Sequence, residues 1–229
     1  MIANKKLFSM GIIAMVLFIA VLVIIFSPVF KGQNGLEYLD DLYNSISKGS
    51  AYYIPKVTAE AENFRGHNIT VSLNAGKAQT AEQTRSLFEK SGADVEVRDN
   101  KLKVTGDLGK ILENCIEDSN LMYMNDGEKI SEKYGYDERR VIYNWWVALR
   151  EIDKDLKKQQ KYSEAKTVDL IKEKAVETSY NYYKIEPQKI SERLWVVIFS
   201  LIFYVLYTLW YGFAIMYLFE GWGLQLDNH

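Results

Sequence analysis

Two long apolar runs bracket a polar stretch in this chain. Leu7 to Phe26 contains no charged residue, and Leu194 to Phe219 runs uncharged between Arg193 and Glu220. A helix rises about 1.5 Å per residue, so roughly 20 apolar residues cross about 30 Å of hydrocarbon, and both runs are long enough. Lys5 and Lys6 precede the first run as they would in a cleaved leader. That run nevertheless exceeds the roughly 7 to 15 apolar residues of a leader, and it ends in Phe26-Ser27-Pro28-Val29-Phe30 without a small-x-small cleavage site. An uncleaved anchor is expected.

Between the runs the period of the apolar positions changes several times. Leu36, Leu39, Leu42, Tyr43 and Ile46 recur at helical spacing until Gly49-Ser50. A second helix with Pro55 in its first turn carries Val57, Ala61 and Phe64, so residues 31–66 read as a helical segment. Residues 67–122 read as β-α-β-β-α. Ile69, Val71 and Leu73 alternate as in a strand; Thr80-Ala81-Glu82-Gln83 matches a capping box that opens a helix through Leu87 and Phe88 to a stop at Gly92. Val95 and Val97, then Asp99-Asn100, then Leu102 and Val104 fit a hairpin with a two-residue turn, which opposes Val97 to Leu102 and Val95 to Val104 on one face. A helix from Asp107 follows, with Leu108, Ile111, Leu112, Cys115 and Ile116 as its stripe. This is a ferredoxin-like half-pattern without its last strand, for which the strand order 1-3-2 is expected.

Residues 128–186 form a second helical segment. From Asp137 onward, Val141, Ile142, Trp145, Trp146, Leu149, Ile152 and Leu156 share one side, and a helix from about Ser163 carries Val168, Ile171, Val176, Tyr180 and Tyr183. Pro187 suits a first helical turn, so a last helix is expected to begin there and run unbroken through residues 187–219 into the second span. The expected fold class is α+β: two transmembrane helices, at 7–27 and within 187–219, flanking a mostly helical extracytoplasmic domain with a small β-α-β-β-α unit. Because basic flanks stay cytoplasmic, Lys5 and Lys6 place residues 1–6 and the tail 220–229 in the cytoplasm of an inner-membrane protein, with the central domain in the periplasm.

Composition narrows the chemistry. The 28 Lys+Arg and 30 Asp+Glu nearly cancel, so no nucleic-acid partner is expected. The single cysteine, Cys115, excludes an intrachain disulfide, and no CxxCH or paired-cysteine zinc spacing occurs. Cys115 lies on an apolar stripe and reads as a small core residue. His67 has no HExxH or HxH partner and reads as a turn histidine. Asp40-Asp41, Glu117-Asp118 and Asp137-Glu138 form no acid/base frame, and Asn125-Asp126-Gly127 lacks the ligand alternation of a calcium loop. Lys154, Lys157, Lys158 and Lys161 read as a solvated helix end. No catalytic residue, cofactor or metal is expected.

The second span carries the best functional clue. Ser200, Tyr204, Thr208 and Gly212 recur every fourth residue, joined by Tyr207 and Tyr211, and small or hydroxyl-bearing residues so spaced favour helix packing in lipid. Ala214 falls about 160° round the helix from Gly212. The stripe fits either the first span, where Gly11 and Ala14 are small, or another integral membrane protein, and the second reading is preferred. Trp145 and Trp146 point about 100° apart, so one of them is a candidate docking anchor. A non-catalytic accessory or scaffold subunit of a membrane complex ranks first among functions. A ligand sensor ranks second, since only about ten residues follow the second span and it would signal through a partner; an enzyme ranks third.

Overall fold

The computed structural model describes residues 2–30, 32–74, 78–98 and 101–224. The chain is mostly helical with one three-stranded sheet, and it divides into two compact units, residues 1–49 with 187–229, and residues 50–186.

The first unit contains α1 (Lys5–Phe26), α2 (Gly35–Ser50) and α10 (Ile190–Trp222). Asn4 caps α1, its side chain accepting from the Lys6 and Leu7 N–H groups at 3.1 and 3.2 Å. Helices α1 and α10 are both long and apolar enough to cross a membrane. They pack together in antiparallel fashion, with the Asn4 N–H donating to the Gly221 carbonyl at 3.0 Å. Glycines let the backbones close: a Cβ on Gly11 would stand 2.8 Å from the Leu218 nitrogen, and one on Gly221 would stand 2.5 Å from the Phe8 nitrogen. Trp195 and Trp222, 81% and 61% exposed, mark the two ends of α10. They lie about 40 Å apart along the helix, close to a bilayer with its interfaces.

Helix α10 starts later than expected. Pro187 precedes it, and Lys189 is the extended residue before its first turn. The Gln188 N–H donates to the Ser45 carbonyl of α2 at 3.0 Å, which ties the extended segment before α10 to α2. The expected unbroken helix from Pro187 is absent; residues 185–189 are not helical. At its other end α10 passes Phe219 and stops at Trp222, where Gly223 takes a left-handed φ of 90°.

The second unit runs α3 (Ile54–Glu62), β1 (Asn68–Asn74), α4 (Ala78–Lys90), β2 (Asp94–Arg98), β3 (Lys101–Asp107), α5 (Leu108–Tyr123), α6 (Gly127–Tyr134), α7 (Glu138–Lys158), α8 (Tyr162–Ile171), a π-helical stretch (Lys172–Glu177) and α9 (Thr178–Asn181). The sheet order is β1-β3-β2, all antiparallel, with Val95 opposite Val104 and Val97 opposite Leu102, the register the alternation predicts. The Asp99-Asn100 turn lies outside the described residues. Leu102 and Val104 on the central strand are fully buried, whereas Val97 on the edge is 43% exposed. No fourth strand covers β1 among the described residues; side chains of α7 and of its C-cap residue do. Asp155 accepts from the Ser72 N–H at 3.1 Å, and Gln159 donates to the Thr70 carbonyl at 2.9 Å, which satisfies edge groups a further strand would otherwise take.

Two local expectations change. Helix α4 begins at Ala78, so Thr80 sits inside its first turn rather than at a capping box, and its hydroxyl accepts from Arg140 at 3.2 Å. The helix from Tyr162 does not continue as α-helix to Tyr183 but widens into the π-helical stretch. One core joins α3, α4, the sheet, α5, α7 and α8, with Val57, Phe88, Leu102, Ile111, Trp145 and Val168 within it.

Candidate functional site

The α10 stripe divides on inspection. The seam with α1 is made from Leu218, one turn beyond the fully buried Ala214, and from Gly221. Tyr207 and Tyr211 also belong to the seam, because Phe18 of α1 packs on both: it stacks on Tyr207 at 4.3 Å between ring centres and lies tilted against Tyr211 at 5.0 Å. Ser200 is half-buried and shares a 2.7 Å hydrogen bond with the Tyr43 hydroxyl of α2. Tyr204 is 68% exposed, Thr208 is exposed, and among the described residues nothing stands within 4 Å of where a Gly212 Cβ would lie. The four residues thus wind from the seam side at Ser200 to the open side at Gly212, as a repeat of four drifts by about 40° per step on a helix of 3.6 residues per turn. Both hydroxyls find acceptors in their own helix, Ser200 on the Val197 carbonyl at 2.8 Å and Thr208 on the Tyr204 carbonyl at 2.7 Å. The feature left open is therefore steric: a notch at Gly212 beside the Thr208 and Tyr204 side chains.

Trp145 cannot be a docking anchor. It is fully buried, and its indole N–H donates to Asp118 at 2.8 Å. Asp118 is itself fully buried and also accepts from the Tyr134 hydroxyl at 2.6 Å and from Lys133 at 2.7 Å. Lys133 further donates to Asn114 at 2.6 Å, so the network ties α5, α6 and α7 together. Burial and the adjacent Asp118 carboxylate push the Tyr134 hydroxyl pKa well up, so it stays a donor. Sequence reasoning passed over Asp118 as one of many acidic pairs.

Trp146 is half-buried and lines an open groove of about 300 Å³ with Tyr143, Val176, Glu177 and Tyr180 among its walls. Its indole N–H donates to Glu177 at 2.7 Å. Val176 and Glu177 come from the π-helical stretch, a geometry that concentrates at functional sites.

The remaining candidates take structural roles. Cys115 is fully buried, and burial followed by the Asp118 charge raises its thiol pKa well above the usual value, which suppresses the thiolate. His67 is exposed and packs edge-on against Phe64 at 5.5 Å. Lys154 and Lys157 pair with Glu151 and Asp153 of their own helix at 2.8 Å each. No group of metal-ligating side chains occurs among the described residues. No family model, curated protein or solved structure matches the chain.

Proposed function

We propose that the chain is a non-catalytic accessory or scaffold subunit of an inner-membrane complex, with its α1–α10 pair in the bilayer, both termini cytoplasmic and residues 50–186 in the periplasm. One observation carries the reading: α10 uses one side for α1 and leaves the Thr208–Gly212 side bare, with nothing among the described residues within 4 Å of a Gly212 Cβ. A helix that only anchors a domain has no use for a notch on its lipid side, whereas small residues let a neighbouring helix approach. The partner this fits is another integral membrane protein.

The notch gives the test. Gly212→Leu fills it without hindering insertion, since leucine is at least as apolar as glycine. Leu206→Phe is the control: Leu206 is 61% exposed and lies about 120° round the helix from Gly212. Ala214, although opposite Gly212, is unsuitable because it is buried. Co-purification in mild detergent should lose the partner with Gly212→Leu and keep it with Leu206→Phe. Retention in both variants would reduce α10 to an anchor.

A further inference from the structure

One face of α7 carries cations at its ends and aromatic rings between them. Arg139, Tyr143, Trp146 and Arg150 follow at intervals of four, three and four residues, which brings them to one side of a helix. The groove opens there. At about 300 Å³ it has the size for one large side chain, at the lower end of ligand pockets.

Charge decides what kind of molecule brings that side chain. Arg150 stands 4.9 Å from the Trp146 ring centre, Arg140 stands 5.3 Å from Tyr143, and Arg139 stands 5.7 Å from Tyr180. Elsewhere in this unit Arg65 and Arg85 each hold a glutamate at 2.6 Å. Among the described residues Arg139 and Arg140 form no ion pair. Arg150 reaches Glu151 only at 3.7 Å, Glu151 lies closer to Lys154 at 2.8 Å, and the buried Arg150 Nε finds no acceptor among the described residues. Neighbouring carboxylates are already engaged, Glu177 by Trp146 at 2.7 Å and Glu138 by Tyr183 and Ser131 at 2.8 Å each. An incoming ammonium would meet rings that guanidiniums already cover. An incoming carboxylate would meet guanidinium N–H edges that no carboxylate holds closely, the geometry arginine favours.

We propose that this groove docks a short acidic segment of a partner protein, seating one large apolar side chain on Trp146 while flanking carboxylates engage Arg139 and Arg140 at one end and Arg150 at the other. The two ends lie about 16 Å apart along α7, a distance about five extended residues cover. Tryptophan, tyrosine and arginine are the residue types that dominate binding at such contacts. The inference deepens the subunit reading by giving the chemistry of what residues 50–186 hold, and it does not depend on the membrane face.

Selection of a random twelve-residue peptide library on the full chain, immobilised in detergent, tests it. The enriched sequences should carry one large apolar residue between aspartates or glutamates. A synthetic peptide of the leading sequence should bind more weakly as salt rises and lose at least about tenfold in affinity with Trp146→Ala. Because Trp146 is half-buried, the exposed pair Arg139→Glu and Arg140→Glu gives a second arm: a selection repeated on that double variant should shift toward basic flanks. Gly212→Leu should leave peptide binding unchanged, which separates this site from the membrane contact. Basic or uncharged winners, winners indifferent to both sets of variants, or no enrichment would each overturn the proposal.

Discussion

A buried carboxylate persists in an apolar interior only when donors surround it, and Asp118 has Lys133, Tyr134 and Trp145 within 2.8 Å. Replacing Asp118 by alanine strands the Trp145 indole N–H and the Tyr134 hydroxyl, while Lys133 keeps Asn114 and stays 25% exposed. The expected loss is about 3 kcal/mol, at the low end for breaking a buried ion pair because the lysine retains a partner and some solvent. Asp118→Asn should cost less, since its carbonyl oxygen still accepts. Urea unfolding of the two variants checks this, and a loss below about 1 kcal/mol for Asp118→Ala would mean that the carboxylate does not hold the helices. The clue was present in the sequence, because Asp118 lies three residues after Cys115 and seven after Ile111, squarely on the apolar stripe of α5. Trp145 and Trp146 behave as their 100° offset requires, one fully buried and one at the groove.

Much of the element order could be read from periodicity, because strand alternation and helical spacing differ sharply. The hairpin register and the starts at Asp107 and Asp137 follow from side chains that act locally: both aspartates cap their helices, accepting from the Lys110 and Arg140 N–H groups at 3.3 and 2.9 Å. What escaped depends on distant partners or on short polar stretches. The extended segment before α10 takes a long-range bond, Gln188 to Ser45, and α6 is a brief, mostly polar helix. The π-helical stretch did leave a trace. Ile171 and Val176 are both buried though five residues apart, a spacing that would swing them about 140° apart on an α-helix. An i→i+5 turn brings them back to one face. Deleting Glu173, an exposed residue in that stretch, should therefore convert it to α-helix and leave a folded protein, with a loss of no more than about 2 kcal/mol. Deleting Glu113 from the regular α5 should instead rotate Cys115, Ile116 and Met122 by about 100° and prevent folding. Circular dichroism and urea unfolding of the two deletions compare them; equal damage would show that the stretch is not an inserted residue in an α-helix.

At the scale of the whole molecule, the apolar surface of α1 and α10 is the governing fact. Ile13, Val16 and Val23 on α1 and Phe199, Leu201 and Leu206 on α10 are all more than half exposed, and water-soluble chains rarely present contiguous apolar patches of this extent. A bilayer removes that cost. The Asn4–Gly221 bond brings the start of α1 and the end of α10 together, so a pair that spans a membrane has Asn4 and Gly221 at one face and the end of α1 and start of α10 at the other. The proposed orientation, with the end face cytoplasmic, rests on the basic flank Lys5 and Lys6. In a Cys115→Ser background, a cysteine at Ser163, which is exposed on α8, should react with an impermeant maleimide on intact spheroplasts. A cysteine at Ala3 should react only after lysis. The reverse pattern would invert the orientation, and labelling of both positions on intact spheroplasts would mean that α1 and α10 do not cross the bilayer as a pair.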